Sequence, residues 1–102
     1  MTRVVWTAQA WERLLEIETF IAEDSPSAAV KLLDRLIARA DGLARHPDRG
    51  RRLPEMPASG LRELIVGRYR IVYRPGTQVI EILTVFEGHR LLRRKELPEG
   101  GG

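Results

Sequence analysis

Hydrophobic and polar residues alternate with two different periods along this 102-residue chain, and the change of period separates a helical first part from a β-rich second part. The short β-branched run Arg3–Trp6 predicts a strand. Thr7 can cap a helix that begins at Ala8 and ends near Ala22. Within this helix apolar residues recur at spacings of four, three and four, which predicts one buried face made of Ala10, Leu14, Ile17 and Ile21.

A second amphipathic helix follows after a short turn. Ser25 can cap it, and Pro26 occupies the first helical position, where proline is favoured. Apolar residues then continue in heptad-like order to about Arg45, and His46 with Pro47 stops the helix. The two helices together predict an antiparallel helical hairpin of roughly 40 residues.

The second half of the chain has the pattern of an antiparallel sheet. The segment Pro47–Gly60 contains three prolines and two glycines, which predicts a surface connection without a regular element. The β-rich runs Leu61–Val66 and Tyr69–Arg74 flank Gly67 and Arg68, as in a β-hairpin, and the chain then turns into Val79–Phe86. Three successive antiparallel strands make a β-meander.

Strand alternation assigns the side chains of the middle strand to two faces. Tyr69, Ile71 and Tyr73 share one face, and the intervening residues, two of them arginines, share the other. The helices must then cover the aromatic face. The predicted fold class is α+β: an N-terminal strand and an antiparallel helical hairpin packed on an antiparallel β-meander. We expect a single domain over residues 1–102, with 98–102 as a disordered tail.

The composition limits the class of protein. At 43% hydrophobic and 30% charged residues it is typical of a soluble globular domain. No apolar run approaches the roughly 18 residues of a membrane helix, and the opening residues lack the apolar segment of a signal peptide. We therefore expect a cytoplasmic protein with no membrane partner. With no cysteine and only two histidines, we expect no disulfide, no metal site and no cofactor.

Positive charge is concentrated in the second half of the chain. Residues 1–48 carry 6 basic and 8 acidic side chains, a balance of −2, whereas residues 49–102 carry 11 and 6, a balance of +5. Most of the cations are arginines, which pair bidentately with phosphate and carboxylate. Five of them lie on or directly after the predicted strands and are candidates for contact with an anionic partner: Arg62, Arg68, Arg70, Arg74 and Arg90.

A structural alternative exists for each of these candidates. The strand arginines can pair with acidic neighbours such as Glu63 and Glu81, and exposed pairs of that kind contribute only about 0–1 kcal/mol. Aromatic residues are more often packing residues than catalysts. This interpretation assigns Tyr69 and Tyr73 to packing, and Trp6 and Trp11 to the core between the strand and the first helix.

The sequence of the meander resembles one known family. Leu-Arg-Glu at 61–63, Gly-Arg-Tyr-Arg-Ile-Val-Tyr at 67–73, Ile-Glu-Ile-Leu-Thr-Val at 80–85 and Gly-His-Arg at 88–90 strongly resemble the RelE/ParE superfamily of toxins from bacterial type II toxin–antitoxin systems. The resemblance covers nearly the whole chain. It implies the RelE/ParE-like fold, a growth-inhibiting toxin, and a cognate antitoxin bound in a hetero-oligomer.

The superfamily has two branches with different activities. The RelE-like branch cleaves messenger RNA on the ribosome, with basic side chains that stabilise charge on the reacting phosphate. If the chain belonged to this branch, the resemblance would place the catalytic positions at Arg62, Arg70 and Arg90, with His89 as a further candidate.

The ParE-like branch inhibits DNA gyrase, and so DNA replication, and needs no catalytic residue of its own. The long helical hairpin and the meander look closer to this branch. In addition, apolar Leu64 and acidic Glu87 stand where ribonuclease members carry basic residues. We therefore favour a ParE-like gyrase inhibitor, with the RelE-like endoribonuclease as the alternative.

Either branch implies an antitoxin whose C-terminal segment folds on the toxin. An acidic segment would suit the basic second half. The candidate partner-binding residues are the strand arginines and the apolar residues after them: Arg62, Arg68, Arg70, Arg74, Arg90, Leu91 and Leu92. A third hypothesis is an interaction module that binds such a partner and inhibits nothing.

Overall fold

The computed structural model describes residues 2–88. Two helices and a short 3₁₀ turn lie against one sheet of five strands. We number the strands and helices in chain order: β1 Arg3–Trp6, α1 Ala8–Ala22, α2 Pro26–Asp41, the 3₁₀ turn Gly42–Ala44, β2 Arg51–Arg52, β3 Arg62–Val66, β4 Tyr69–Arg74 and β5 Val79–Glu87.

The sheet has the strand order β1-β5-β4-β3-β2 and is mixed. Strands β2 to β5 are antiparallel neighbours, which confirms the predicted meander. Strand β1 pairs in parallel with β5, with Val4 opposite Ile80. The first and last strands are therefore side by side, and the helical hairpin crosses over between β1 and the meander.

Both helices begin at the predicted caps. The Thr7 hydroxyl accepts a hydrogen bond from the Ala10 N–H at 3.2 Å and donates to the Ile82 carbonyl at 2.8 Å, so the same side chain caps α1 and ties it to β5. The Ser25 hydroxyl accepts from the Ala28 N–H at 3.2 Å, with proline next in the chain. Helix α2 ends at Asp41, earlier than predicted, because its last turn tightens into the 3₁₀ conformation.

The β3–β4 hairpin turns at Gly67 and Arg68, as predicted. Gly67 has a φ of +60°, and within residues 2–88 all residues with a positive φ are glycines. A positive φ at the first central residue alone is the type II′ turn, which matches the twist of the flanking strands. Glycine reaches this conformation without steric strain.

The two faces of the sheet carry separate apolar clusters. The helix-covered face holds the main core, in which Tyr73, Leu14 and Leu36 are fully buried. On the opposite face, the loop after β2 covers a smaller cluster made of Leu53, Leu61, Val72, Leu83 and Phe86. Apolar side chains on both faces explain why β5 reads as a nearly continuous hydrophobic run.

A β-bulge in β5 adjusts which side chains reach which face. Val72 lies opposite Thr84 whereas Tyr73 lies opposite Ile82, so Leu83 is an extra residue in the register. Because of this insertion, Ile82 and Val85 both join the helix-covered core although they are three residues apart.

Two further sequence predictions need correction. The segment Pro47–Gly60 was expected to be only a surface connection, but it contains β2 and the fully buried Leu53. Trp11 was expected in the core, but it is 45% exposed and meets the partly buried Trp6 edge to face, with ring centroids 6.3 Å apart. The strand pairing and the loop closure that cause these differences both involve residues distant in sequence.

Neither helix within residues 2–88 combines the length and the apolar character that a membrane span requires. The predictions for His89, Arg90, Leu91, Leu92 and the tail 98–102 lie outside the described residues.

Candidate functional site

The candidate site lies on the sheet face that the helices leave uncovered. Arg70 of β4 and Glu63 of β3 both project from this face. Arg70 lies opposite Ile65 of β3, and Glu63 is two residues before Ile65 on β3, so these side chains point to the same side of the sheet. Arg51 of β2 is opposite Glu63. The loop after β2 brings Glu55 over Arg70. We call these four side chains, Arg51, Glu55, Glu63 and Arg70, the charge network.

Arg70 uses both edges of its guanidinium group. Its Nε donates to Oε1 of Glu63. Its Nη1 and Nη2 donate to the two carboxylate oxygens of Glu55 at 2.9 and 2.6 Å, a bidentate contact. The other oxygen of Glu63 accepts from Nε of Arg51 at 2.6 Å. Two cations and two anions therefore form one connected, electrically balanced group.

Burial within the network is graded from the sheet to the solvent. The Glu63 side chain is 0% exposed and that of Arg70 is 7% exposed, whereas the values are 18% for Glu55 and 63% for Arg51. The Phe86 ring lies under Arg70, with its centroid 4.7 Å from Cζ. Charges buried to this degree are tolerated only when they are paired and hydrogen-bonded.

The surroundings keep Arg70 charged. Burial alone would lower the pKa of its guanidinium, but the hydrogen bonds to Glu55 and Glu63 outweigh this effect and raise the pKa above its ordinary value. Arg70 is therefore a fixed cation whose donors are directed at the two carboxylates.

The loop that carries Glu55 is closed by hydrogen bonds at both ends. At its start, the hydroxyl of buried Tyr73 accepts from the Gly50 N–H at 2.9 Å and donates to the Pro47 carbonyl at 2.7 Å. Further along, the Leu53 N–H donates to the Leu61 carbonyl at 3.0 Å. Burial raises the pKa of Tyr73, so its hydroxyl stays protonated and keeps both roles. The position of Glu55 is thus set by backbone contacts on either side of it.

A cavity of about 690 Å³ opens beside the network, between the loop and the β3–β4 turn. Its size falls within the usual range of roughly 300–1,000 Å³ for ligand sites. The lining combines cations, one carboxylate and apolar surface, and includes Arg51, Glu55, Ile65, Arg68, Tyr69 and Arg70. Such a cavity can accept an anionic group that carries an apolar portion.

The strand arginines predicted from the sequence do not converge on one point. Arg62 is on the same side of β3 as core residue Leu64, and its Nη1 donates to the Gly50 carbonyl at 2.7 Å. Arg70 faces the other way, so the sheet separates the two arginines. Arg68 lines the cavity, and Arg74 lies at the far end of β4.

Four of the arginines singled out from the sequence lie within residues 2–88, and each of them has an acidic partner, at distances up to 3.9 Å. Arg62 is near Asp48, and Arg68 near Glu87. The structural alternative proposed from the sequence was that strand arginines pair with Glu63 and Glu81. Glu63 does pair with Arg70, and Glu81 with Arg74.

Sequence reasoning did not identify Glu55 and Arg51 as members of the site. Asp48 and Glu55 are the two acidic residues of the segment Pro47–Gly60, and each pairs with a strand arginine. A carboxylate isolated in a basic, proline-rich loop is a signal that could have indicated such a contact.

Comparison with known proteins identifies the class of this chain. The family model for the ParE toxin of the type II toxin–antitoxin system, parDE, matches residues 4–92. The chain therefore belongs to the ParE toxin family, within the ParE/RelE superfamily of type II toxins, as the meander sequence had indicated.

Individual relatives carry RelE names and ParE names alike. Toxin RelE2 of Caulobacter vibrioides is 37% identical over 92 residues, which cover 89% of this chain and 100% of that protein. The chromosomal ParDE system from P. aeruginosa contains a chain with a TM-score of 0.73 and 21% identity, covering 85% of this chain and 96% of that one.

The RelBE2 toxin–antitoxin complex from Mycobacterium tuberculosis contains a chain with a TM-score of 0.63 and 27% identity, covering 85% of this chain and 93% of that one. The chain thus shares its fold with solved toxin–antitoxin systems named ParDE and RelBE2.

Proposed function

We propose that this toxin acts in the ParE-like manner, by inhibiting DNA gyrase and so DNA replication, and that a cognate antitoxin neutralises it. The observation that carries the proposal is the engagement of Arg70. Its guanidinium is held on both edges by carboxylates, which leaves it poorly suited to stabilise a reacting phosphate.

RNA cleavage needs several positive donors directed at the oxygens of one phosphate. Arg62 and Arg70, two of the positions that the RelE-like alternative would use, lie on opposite faces of the sheet. The Glu55 carboxylate occupies the Nη edge of Arg70 and would repel a phosphate that approached it. A toxin that acts by binding gyrase has no such requirement.

The RelE-like endoribonuclease is the second candidate. The relative named RelE2 supports it, as does the cavity lined by Arg51, Arg68 and Arg70. This activity requires Glu55 to leave Arg70, and it would use Arg62 and Arg70 together with His89 and Arg90 from outside the described residues.

The antitoxin is proposed from the neighbours, since both solved systems are named as toxin–antitoxin pairs. The +5 balance of residues 49–102 favours an acidic antitoxin segment. We propose that it contacts the strand arginines and the residues that follow them: Arg62, Arg68, Arg70, Arg74, Arg90, Leu91 and Leu92.

A supercoiling assay tests the proposal. Purified gyrase, relaxed plasmid and ATP are incubated with the toxin, and loss of supercoiling and appearance of linear, cleaved DNA are scored. We expect both effects, and we expect preincubation with the cognate antitoxin to abolish them. Unaffected gyrase, together with cleavage of messenger RNA in a ribosome-dependent translation reaction, would refute the proposal and establish the second candidate.

Growth after induction in bacteria tests the third hypothesis. A binding module without inhibitory activity would leave growth unchanged, whereas the proposed toxin should arrest it and block DNA synthesis before protein synthesis.

A further inference from the structure

The two edges of the Arg70 guanidinium have partners of different character. The Nε edge contacts Glu63, which is fully buried and comes from the adjacent strand. The Nη edge contacts Glu55, which is partly exposed, comes from a loop, and lies in the lining of the cavity. One contact is part of the sheet, and the other borders a solvent-accessible cavity.

Arg70 would keep its position if Glu55 moved away. Glu63 would still hold Nε, and Phe86 would still lie against the guanidinium plane. The charge network would change from balanced to a net charge of +1. Two free Nη donors would then border a cavity that also contains Arg51 and Arg68.

We propose that the Nη edge of Arg70 is a binding site for a carboxylate from an acidic peptide segment of a partner protein, and that Glu55 fills this site in the free toxin. The bidentate contact at 2.6 and 2.9 Å is the geometry with which a guanidinium binds a carboxylate. The apolar lining beside it, Ile65 and Pro54, can contact the aliphatic part of a bound acidic side chain. The proposal rests on the proposed contact of an acidic partner segment with Arg70 and specifies how the free toxin occupies that site, and it does not depend on whether gyrase is the target.

Exchange of Glu55 for an external carboxylate replaces one bidentate ion pair by another. Glu55 is tethered to the protein and therefore keeps the site closed in most molecules. The apparent affinity of wild type for a free ligand equals the intrinsic affinity multiplied by the fraction of molecules in which the site is open. Removal of the Glu55 carboxylate eliminates this competition. The free protein should then bind an external carboxylate at least about tenfold more tightly.

The test is a titration followed through the arginine Nε–H signals in ¹⁵N NMR spectra. The probe is the blocked peptide acetyl-Ala-Glu-Ala-amide, with acetyl-Ala-Gln-Ala-amide as the uncharged control and dimethyl phosphate as the phosphodiester analogue. The variants are Glu55→Ala and Glu55→Gln, the second of which keeps the size of the side chain but has one acceptor oxygen in place of two and no charge. Glu81→Gln is the matched control, since it removes one carboxylate from the Arg74 pair on the same sheet face.

We expect both Glu55 variants to bind the glutamate peptide at least about tenfold more tightly than wild type, with the Arg70 signal shifting on binding. Glu81→Gln should match wild type, and the glutamine peptide should not bind. Equal affinity in wild type and in either folded Glu55 variant would overturn the proposal. Tighter binding of dimethyl phosphate than of the glutamate peptide would also overturn it and would identify a nucleic-acid contact instead. The assay contains neither gyrase nor antitoxin, whereas the supercoiling assay measures both inhibition and its neutralisation, so failure of this proposal is distinct from failure of the proposed function.

Discussion

The buried part of the charge network makes a prediction about stability. In Arg70→Met the cation is lost but the side chain keeps a similar length and an apolar character. Glu55 can turn towards solvent in this variant, because it belongs to a loop and is partly exposed. Glu63 cannot do so, since its side chain is fully buried.

The expected cost follows from this difference. Removal of one partner from a buried ion pair costs about 3–5 kcal/mol, because the other charge remains in the interior. Glu63 retains one hydrogen bond, from Arg51 at 2.6 Å, which places the expected loss at the lower end of that range. For a domain of this size the loss corresponds to a decrease in Tm of roughly 12 °C or more.

A second substitution separates the buried charge from a loss of packing. In Arg70→Met/Glu63→Leu no buried carboxylate remains, and the mostly exposed Arg51 can be solvated. Replacement of a buried pair by apolar side chains is often neutral or stabilising. We therefore expect the double variant to recover most of the stability, with a coupling energy of at least about 2 kcal/mol.

Urea denaturation followed by circular dichroism and by tryptophan fluorescence measures these differences. Arg74→Met is the matched control, because the Arg74–Glu81 pair is partly exposed and should contribute no more than about 1 kcal/mol. A loss below about 1 kcal/mol in Arg70→Met, or a double variant as unstable as the single one, would refute the reasoning.

Three further substitutions test the loop and the hairpin by the same denaturation assay. Tyr73→Phe should cost about 1–3 kcal/mol at pH 7, since the hydroxyl bridges Gly50 and Pro47. The difference in free energy of unfolding between wild type and Tyr73→Phe should shrink above pH 10. Burial raises the pKa of Tyr73 in the folded state above its usual 10.0, so above pH 10 the tyrosine ionises more readily in the unfolded state. This ionisation favours unfolding of wild type, and the phenylalanine variant has no such group at this position. A deficit unchanged at pH 11 would contradict this assignment. Gly50→Ala should cost at least about 1–3 kcal/mol, because the added Cβ would lie 2.5 Å from the Glu63 carbonyl oxygen; stability equal to wild type would show that the loop can shift. Gly67→Ala should cost about 1–3 kcal/mol through its positive φ, and an unchanged midpoint would argue against the type II′ turn.

Much of the fold could be predicted because its signals are local. Caps at Thr7 and Ser25, periodicity within the helices, and the Gly67 turn each depend on residues within about four positions of one another. The face assignment along β4 followed from alternation alone and agrees with the structure. The meander sequence also indicated the superfamily, which the comparisons confirm.

The candidate site was predicted only in part. Arg70 was identified, and Glu63 was named among the acidic neighbours of the strand arginines, but the strand pattern could not reveal that Glu55, from a loop fifteen residues away, would hold the other edge of Arg70. It also grouped Arg62 with Arg70, although they occupy opposite faces. Whether residues on two different strands share a face depends on the register between the strands. That register is set when the strands pair in the folded protein.

The amino-acid sequence by itself therefore determined the helices, the hairpin turn, the three-stranded meander and the family, because propensity, periodicity and turn chemistry act over short distances along the chain. The tertiary structure decided that β1 lies beside β5, that a bulge at Leu83 redirects the end of the sheet, and that a proline-rich loop delivers Glu55 to Arg70. These contacts join residues that are distant in sequence, and their free energy arises from burial and charge pairing that exist only once the chain is folded.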